Sequence, residues 1–162
     1  MIDIRTGDLQ DERIVALLAT HLARCRAESP PCSVHALDVS ALSGPGITFW
    51  AAWSGETLLG VGALAELDSH HAELKSMHTA DKVRRRGVGT AMLAHLVEEA
   101  LARGYRRLSL ETGAMDYFEP ARAVYRRHGF AECGPYGSYR DDPNSIFMTM
   151  VLPSAGGLRR PA

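Results

Sequence analysis

The chain has little lysine, few cysteines and no long apolar run, and each shortage narrows the function that it can have. Arginine supplies all but two of the 18 basic residues, and the formal net charge is −1. A general nucleic-acid-binding protein normally carries a basic excess, so the charge argues against that class. No apolar stretch is long enough to cross a membrane, and the N-terminal residues lack the apolar core of a signal peptide. These features predict a cytoplasmic protein with no nucleic-acid or membrane partner.

The cysteines give no sign of a disulfide or a metal site. Cys25, Cys32 and Cys133 are odd in number and lack metal-ligand spacing, so free thiols in a reducing compartment are favoured. His70 and His71 stand close to Glu73, but no further ligand is spaced to complete a metal site. We therefore expect no metal and interpret the two histidines as turn residues.

Two common phosphate-binding motifs are also missing. The chain has no P-loop string, and it lacks the third glycine of a dinucleotide fingerprint. Residues 83–90 instead combine three consecutive arginines with two glycines, directly before a patterned helix. Free amides at a helix start bind anions, and glycine lets a ligand approach the backbone. This run therefore predicts a pyrophosphate site.

The pattern on either side of this run predicts alternating strands and helices. Residues 72–79 are read as a central strand, and an apolar stripe at helical spacing follows the glycines as far as Gly104. Residues 107–112 alternate as a strand, and residues 121–130 hold a second helix.

The rest of the chain fits around this centre. We expect a first strand at residues 2–5, a helix at 11–26, a hairpin over 48–64 and a last strand at 145–152. Residues 1–152 are then one domain, and 153–162 form a flexible C-terminal tail.

Three of these residues and their context resemble a known family. Arg84, Gly87 and Gly89 match the acetyl-CoA signature Gln/Arg-x-x-Gly-x-Gly/Ala, and the spacing of Tyr125 before Gly129 and Phe130 matches a second motif. The chain is thus identified as similar to the GCN5-related N-acetyltransferase (GNAT) superfamily. The resemblance implies a mixed α/β domain whose central, twisted, mostly antiparallel sheet carries helices on both faces. It also implies acetyl-CoA as the cofactor.

The family resemblance assigns positions to the cofactor. In the family the central strand splays from its neighbour and pairs with pantetheine, and an amide at Met77 or His78 would steady the thioester oxygen. The residues expected to bind acetyl-CoA are Met77, His78, Thr79, Arg84, Arg85, Arg86, Gly87, Val88, Gly89 and Thr90.

The same resemblance suggests the catalytic groups. Glu73 stands at the family's offset for a general base, and Tyr125 matches the tyrosine that protonates the leaving thiolate. A surface salt bridge for Glu73 and simple packing for Tyr125 remain open. Glu111 is both a reserve base and a candidate acceptor contact, and Glu66 and Asp68 are further reserves.

Phe118 departs from the family pattern, which often has an asparagine touching pantetheine at that position. We expect this side-chain contact to be either missing or replaced by packing. Residues 134–145 form a long loop beside the acceptor cleft, where Tyr139, Arg140 and Asn144 are candidate acceptor-binding residues, although the loop could simply connect two strands.

The resulting prediction is an N-acetyltransferase that passes the acetyl group directly to a primary amine in a ternary complex. The acceptor is a small molecule or a peptide, and a homodimer is compatible with these features. The alternative is a non-catalytic acyl-CoA sensor on the same fold, which would need neither Glu73 nor Tyr125.

Overall fold

The computed structural model describes residues 1–153, and this part of the chain folds into seven strands and four helices. The expected tail therefore lies outside the described residues, apart from Pro153. The strands are β1 (Asp3–Thr6), β2 (Ile47–Ser54), β3 (Thr57–Asp68), β4 (His71–Thr79), β5 (Arg107–Gly113), β6 (Ala131–Cys133) and β7 (Ser145–Val151). The helices are α1 (Glu12–Glu28), α2 (Val39–Leu42), α3 (Val88–Ala102) and α4 (Glu119–Arg127).

All seven described strands belong to one mixed sheet. Their order is β1-β2-β3-β4-β5-β7-β6, and β4 with β5 is the parallel pair, whereas the other described pairs are antiparallel. A parallel pair needs a long crossover connection, which α3 provides between β4 and β5. The predicted mixed and mostly antiparallel sheet is confirmed.

Apolar residues on both sides of β2 explain why helices cover both faces of the sheet. Trp50 and Ala52 belong to a buried cluster with α3 and α4, while Phe49 and Ala51 belong to a second cluster with α1 and α2. Successive side chains of a strand point to opposite faces. Each face of this strand is therefore buried under its own pair of helices, as predicted.

Helix α3 lies very close to the sheet because β3 carries a glycine beneath it. A Cβ atom built on Gly62 would lie 2.9 Å from Cγ of Met92 and 3.0 Å from Cδ1 of Leu96. A larger residue at this position would force the side chains of Met92 and Leu96 to move.

The central strand β4 separates from β5 halfway along its length. The two strands pair only from His71 to Leu74 on β4. Just beyond this point, β4 holds an extra residue opposite Gly62, and Ser76 takes a positive φ of 54°. A β-bulge of this kind bends its strand and ends pairing. The result is an opening between β5 and the second half of β4.

One boundary differs clearly from the sequence expectation. The hairpin strand β3 was predicted to end at residue 64, but it continues to Asp68. The extension forms because β3 pairs with β4 along almost its whole length, so exposed acidic side chains still sit on paired backbone.

Candidate active site

The start of α3 presents a row of free amides. Gly87 has a φ of 80° and Arg85 a φ of 65°, so the backbone curls just before the helix. Within residues 1–153, no amide from Arg85 to Thr90 donates to a main-chain or side-chain acceptor. Successive amides in such a curl form an anion-binding hollow, and the helix dipole adds a positive field. This geometry suits a pyrophosphate group.

A cavity of about 680 Å³ runs from this row of amides to the opening in the sheet. Gly87 leaves the entrance free, since nothing lies within 4 Å of a Cβ built there. The cavity wall includes nine of the ten residues predicted to bind the cofactor: Met77, His78, Thr79, Arg84, Arg85, Gly87, Val88, Gly89 and Thr90. Arg86, the tenth, is exposed and is absent from the described wall of this cavity.

The edge of β4 that faces β5 can also hold an extended ligand. Beyond Leu74, β4 pairs with β3 alone among the described strands, so its main-chain groups on the β5 side have no strand partner. Met77 and Thr79 lie on this free edge and line the cavity. The predicted splay of the central strand is therefore present in the structure.

Helix α1 contributes residues to this cavity that the sequence analysis missed. Arg24 donates to Asp81 at 2.6 Å, and Asp81 also accepts from Arg84 at 3.1 Å, so one carboxylate holds two arginines at the cavity wall. His21 and Cys25 lie on the same helix and line the cavity as well. Their spacing of three and four residues places all three on one helix face, which is the signal that could have revealed them.

His21 joins α1 to the central strand. Its Nδ1 atom lies 3.3 Å from Nδ1 of His78, and burial lowers the pKa of His21 to about 4 and of His78 to about 3. Both rings are therefore neutral at pH 7, so one can donate a hydrogen bond to the other. The pair fastens α1 beside the free edge of β4.

Tyr125 lies where the large cavity meets a second, smaller one. The second cavity has a volume of about 110 Å³. Burial raises the pKa of Tyr125, and its hydroxyl donates no hydrogen bond to any described residue. The phenol thus stays protonated at neutral pH. The residues shared by both cavities are His21, Cys25, Met77, Phe118, Ala121 and Tyr125.

Phe118 fills the position where the family often has asparagine. Its ring occupies the space above Gly113, since a Cβ built on that glycine would lie 2.2 Å from Cδ2 of the ring. It also packs edge-on against Tyr117, with ring centroids 4.9 Å apart. Packing therefore stands in place of a side-chain hydrogen bond, as expected.

Glu111 is the carboxylate that faces the smaller cavity. Burial raises its pKa to about 7, an effect that the nearby Lys75 ammonium opposes in part. A carboxylate with a pKa near 7 is well matched to taking up a proton at physiological pH.

Glu73, the predicted base, is placed differently. Its side chain is 6% exposed, accepts a 2.5 Å hydrogen bond from the Tyr136 hydroxyl and lies 3.5 Å from Nζ of Lys75. In the described part of the chain it lines neither cavity. This placement does not favour the role of base, because the loop after β6 covers the carboxylate and occupies its oxygens.

The loop residues predicted to choose the acceptor are only partly at the site. The Tyr139 hydroxyl accepts a 2.8 Å hydrogen bond from Lys75, which lines the smaller cavity. Arg140 is exposed, and Asn144 uses its carbonyl to accept from the amide of Ala114 at 2.9 Å. Among the residues that the structure describes, neither of these two lines a cavity.

These features define a class of protein: one with an anion-binding helix start, a free strand edge beside it and a cavity that joins the two. The family can also be named. The model of the acetyltransferase (GNAT) family matches residues 14–130. The chain belongs to this family, and it is an N-acetyltransferase that uses acetyl-CoA.

Similar proteins agree with this assignment. YsnE of Bacillus subtilis, described as an uncharacterized N-acetyltransferase, is 51% identical over 92% of this chain and 99% of its own length. YedL of Escherichia coli, described in the same way, is 47% identical over 94% of this chain and 96% of its own. A Klebsiella pneumoniae structure, solved as a candidate acyl-CoA N-acyltransferase, has a TM-score of 0.79 and 27% identity, covering 94% of this chain and 98% of its own.

No helix among the described residues is both long and apolar enough to span a membrane.

Proposed function

We propose that this chain, as one domain over residues 1–152, transfers the acetyl group directly from acetyl-CoA to a primary amine of a small molecule. The observation that carries the proposal is the junction of the two cavities at Met77 and Tyr125, with Glu111 on the wall of the smaller one. One cavity suits the donor and the other the acceptor, so both substrates can be present together.

The residues of the larger cavity fit acetyl-CoA, which supplies the acetyl thioester. The amides of residues 85–90 and the guanidinium groups of Arg84 and Arg85 would bind the pyrophosphate. The free edge of β4 at Met77 and Thr79 would pair with pantetheine, and an amide at Met77 or His78 would donate to the thioester oxygen.

Glu111 is the base in this proposal, in place of Glu73. An amine resembling lysine is protonated at pH 7, so a group must take its proton before the nitrogen can attack the thioester. Glu111 lines the acceptor cavity and is ionised in about half of the molecules at neutral pH, since its pKa is about 7. It can accept the proton directly or through a water molecule.

Tyr125 is the matching acid. Tyr125 lines both cavities and its phenol remains protonated, so its hydroxyl can serve as the donor of a proton to the sulfur of the departing CoA. Its buried ring also fixes the position of that hydroxyl.

Cys25 is also at the junction, which raises the possibility of a covalent acetyl-enzyme. Burial, with the nearby charge of Glu111, raises the pKa of its thiol to about 11. The nucleophile in such a route is the thiolate, which is scarce at pH 7 with this pKa. Direct transfer is therefore favoured over a cysteine intermediate.

Initial-rate kinetics test the direct route. Release of free thiol from acetyl-CoA is measured while both substrates are varied, and intersecting lines in double-reciprocal plots are expected. The variant Cys25→Ser should retain activity, and mass spectrometry should find no acetylated chain. Parallel lines with an acetylated Cys25 would contradict direct transfer.

Calorimetry with CoA tests the cofactor site through a matched pair of arginines. Arg84→Ala removes a guanidinium on the cavity wall and should weaken binding about tenfold, since a charged hydrogen bond contributes roughly 1.5 kcal/mol. Arg86→Ala removes an exposed neighbour and should have a much smaller effect. Equal losses in both variants would indicate a diffuse basic patch instead of this cavity.

A further inference from the structure

The acceptor cavity contains side chains of both charge signs, which bears on the kind of amine that it takes. Glu111 and Lys75 both line it. They lie on neighbouring strands and on the same face of the sheet, one residue past the last paired positions, Leu74 and Leu110. A carboxylate and an ammonium group therefore both line the cavity where β4 and β5 begin to separate.

Lys75 is held in this position by several partners. Its Nζ atom donates to the carbonyl of His35 at 3.2 Å and to the Tyr139 hydroxyl at 2.8 Å, and its side chain is 14% exposed. Its contact with Glu73 is longer, at 3.5 Å, and Glu73 lies outside the described cavity wall. The ammonium group is thus pre-positioned at the cavity wall, where a ligand anion would add to its contacts.

A second donor at the cavity is without a partner. Ser76 lines the cavity and is 8% exposed, yet its hydroxyl makes no hydrogen bond to any described residue. A buried polar group without a partner is destabilising, so such a group often marks a place where a ligand binds. Ser76 has a positive φ at the bulge of β4, and it lines the same cavity as Lys75, so the cavity wall offers two donors to an anionic group.

We propose that the acceptor is a compact free α-amino acid, whose amine faces Glu111 and whose carboxylate is bound by Lys75 and Ser76. This inference rests on the proposed function and names the substrate class of the same site. The carboxylate and amine of an α-amino acid are carried by one carbon atom, which matches the adjacent donors and acceptor of the cavity. The volume of about 110 Å³ suits a small molecule and is well below that of a drug-sized ligand site.

Other amines fit this cavity less well. A diamine or an aminoglycoside would bring a second positive charge towards Lys75, which repels it. The N-terminus of a peptide has a neutral amide where the amino acid has its carboxylate, so it would leave the ammonium of Lys75 without an additional anion.

A substrate panel on the unmodified protein tests this inference. Glycine, L-alanine and L-serine are compared with their carboxamides and with 1,4-diaminobutane, and free-thiol release from acetyl-CoA is measured at pH 8. At least one amino acid should be used at least tenfold more efficiently, by kcat/KM, than its carboxamide. The carboxamide has the less basic amine, so a preference for the acid cannot come from a larger supply of neutral amine.

Two variants check that the named residues cause the preference. Lys75→Gln should lower kcat/KM for the amino acid at least tenfold more than for the carboxamide, because any effect of the lost charge on Glu111 is shared by both substrates. Ser76→Ala should act in the same direction with a smaller effect, and CoA affinity measured by calorimetry confirms that each variant is folded. A preference that survives in both variants would overturn the assignment.

The outcomes separate this inference from the proposed function. Equal or better use of the carboxamides or of the diamine would overturn the amino acid inference and leave amine acetylation standing. Acetylation of none of these amines, together with normal CoA binding, would count against the proposed function itself.

Discussion

Replacing Glu111 by glutamine removes the carboxylate that we propose as the base, and the structure predicts opposite effects on activity and on stability. Burial moves the pKa of this carboxyl from 4.5 to about 7. A change of this size disfavours the ionised form in the folded protein by roughly 3 kcal/mol. The folded chain therefore holds a charge at high pH that the unfolded chain accommodates more easily.

The sign of the pH dependence follows from this difference. Because the pKa is higher in the folded state, the group does not destabilise the protein below about pH 4.5, where it is neutral in both states. As the pH rises from 4.5 towards 7, the unfolded chain loses this proton more readily than the folded chain, so the free energy of unfolding falls. Glu111→Gln stays neutral throughout, so the variant should be more stable than the parent at pH 8.5, by up to about 3 kcal/mol, and nearly equal to it at pH 4.5.

Urea unfolding at these two pH values measures the stability effect, and pH–rate profiles measure the activity. For the parent chain, kcat/KM should fall about tenfold per pH unit below pH 7. The glutamine variant should lose about 100-fold at pH 8, and its kcat/KM should keep rising towards the pKa of the amine itself, with no levelling near pH 7. An unchanged stability difference between the two pH values would refute the buried charge, and an unchanged acid limb would refute the role of base.

Three further changes have distinct expected outcomes. Tyr125→Phe should lower kcat about 100-fold and leave the KM for acetyl-CoA within about threefold, because the ring still packs while the proton donor is lost. Steady-state kinetics that match the parent would show that Tyr125 only packs and is not the acid. Glu73→Gln should keep the acid limb of the pH–rate profile. It should lower the free energy of unfolding by about 3 kcal/mol, because Lys75 loses its buried counter-charge. A shift of the acid limb would instead indicate that Glu73 is the base. Gly113→Ala should destabilise the protein by about 1–3 kcal/mol and lower its melting temperature, because the added methyl group forces the Phe118 ring to move. The control Gly134→Ala places its methyl group in open space and should leave the melting temperature unchanged. Similar shifts in both variants would disprove the clash.

The cofactor half of the site is the part that the sequence predicted best. Arg84, Gly87 and Gly89 are close together in the chain, and the helix that follows them has its own apolar pattern. An anion site at a helix start depends on the backbone of a few consecutive residues, so it can be read locally. The structure places nine of the ten predicted residues on one cavity, with Arg86 turned to solvent.

The proposed acceptor half was harder to predict because it combines distant segments. His21 and Cys25 come from α1, Lys75 from β4 and Glu111 from β5. No spacing in the sequence joins them. They meet because α1 packs over the face of the sheet on which the side chains of Lys75 and Glu111 lie.

The choice between two carboxylates shows how far sequence alone can predict the catalytic base. Glu73 and Glu111 lie on one face of neighbouring strands, since Glu73 pairs with Ser109, two residues before Glu111. The sequence alone determined the family signature, the strands that carry both acids and the helix that binds the cofactor. Only the tertiary structure decided that Tyr136 covers Glu73 while the separation of β4 from β5 leaves Glu111 at the cavity. The physical reason is that a pKa and a path to substrate depend on what packs over a side chain, and here a loop more than sixty residues away in the chain supplies that cover.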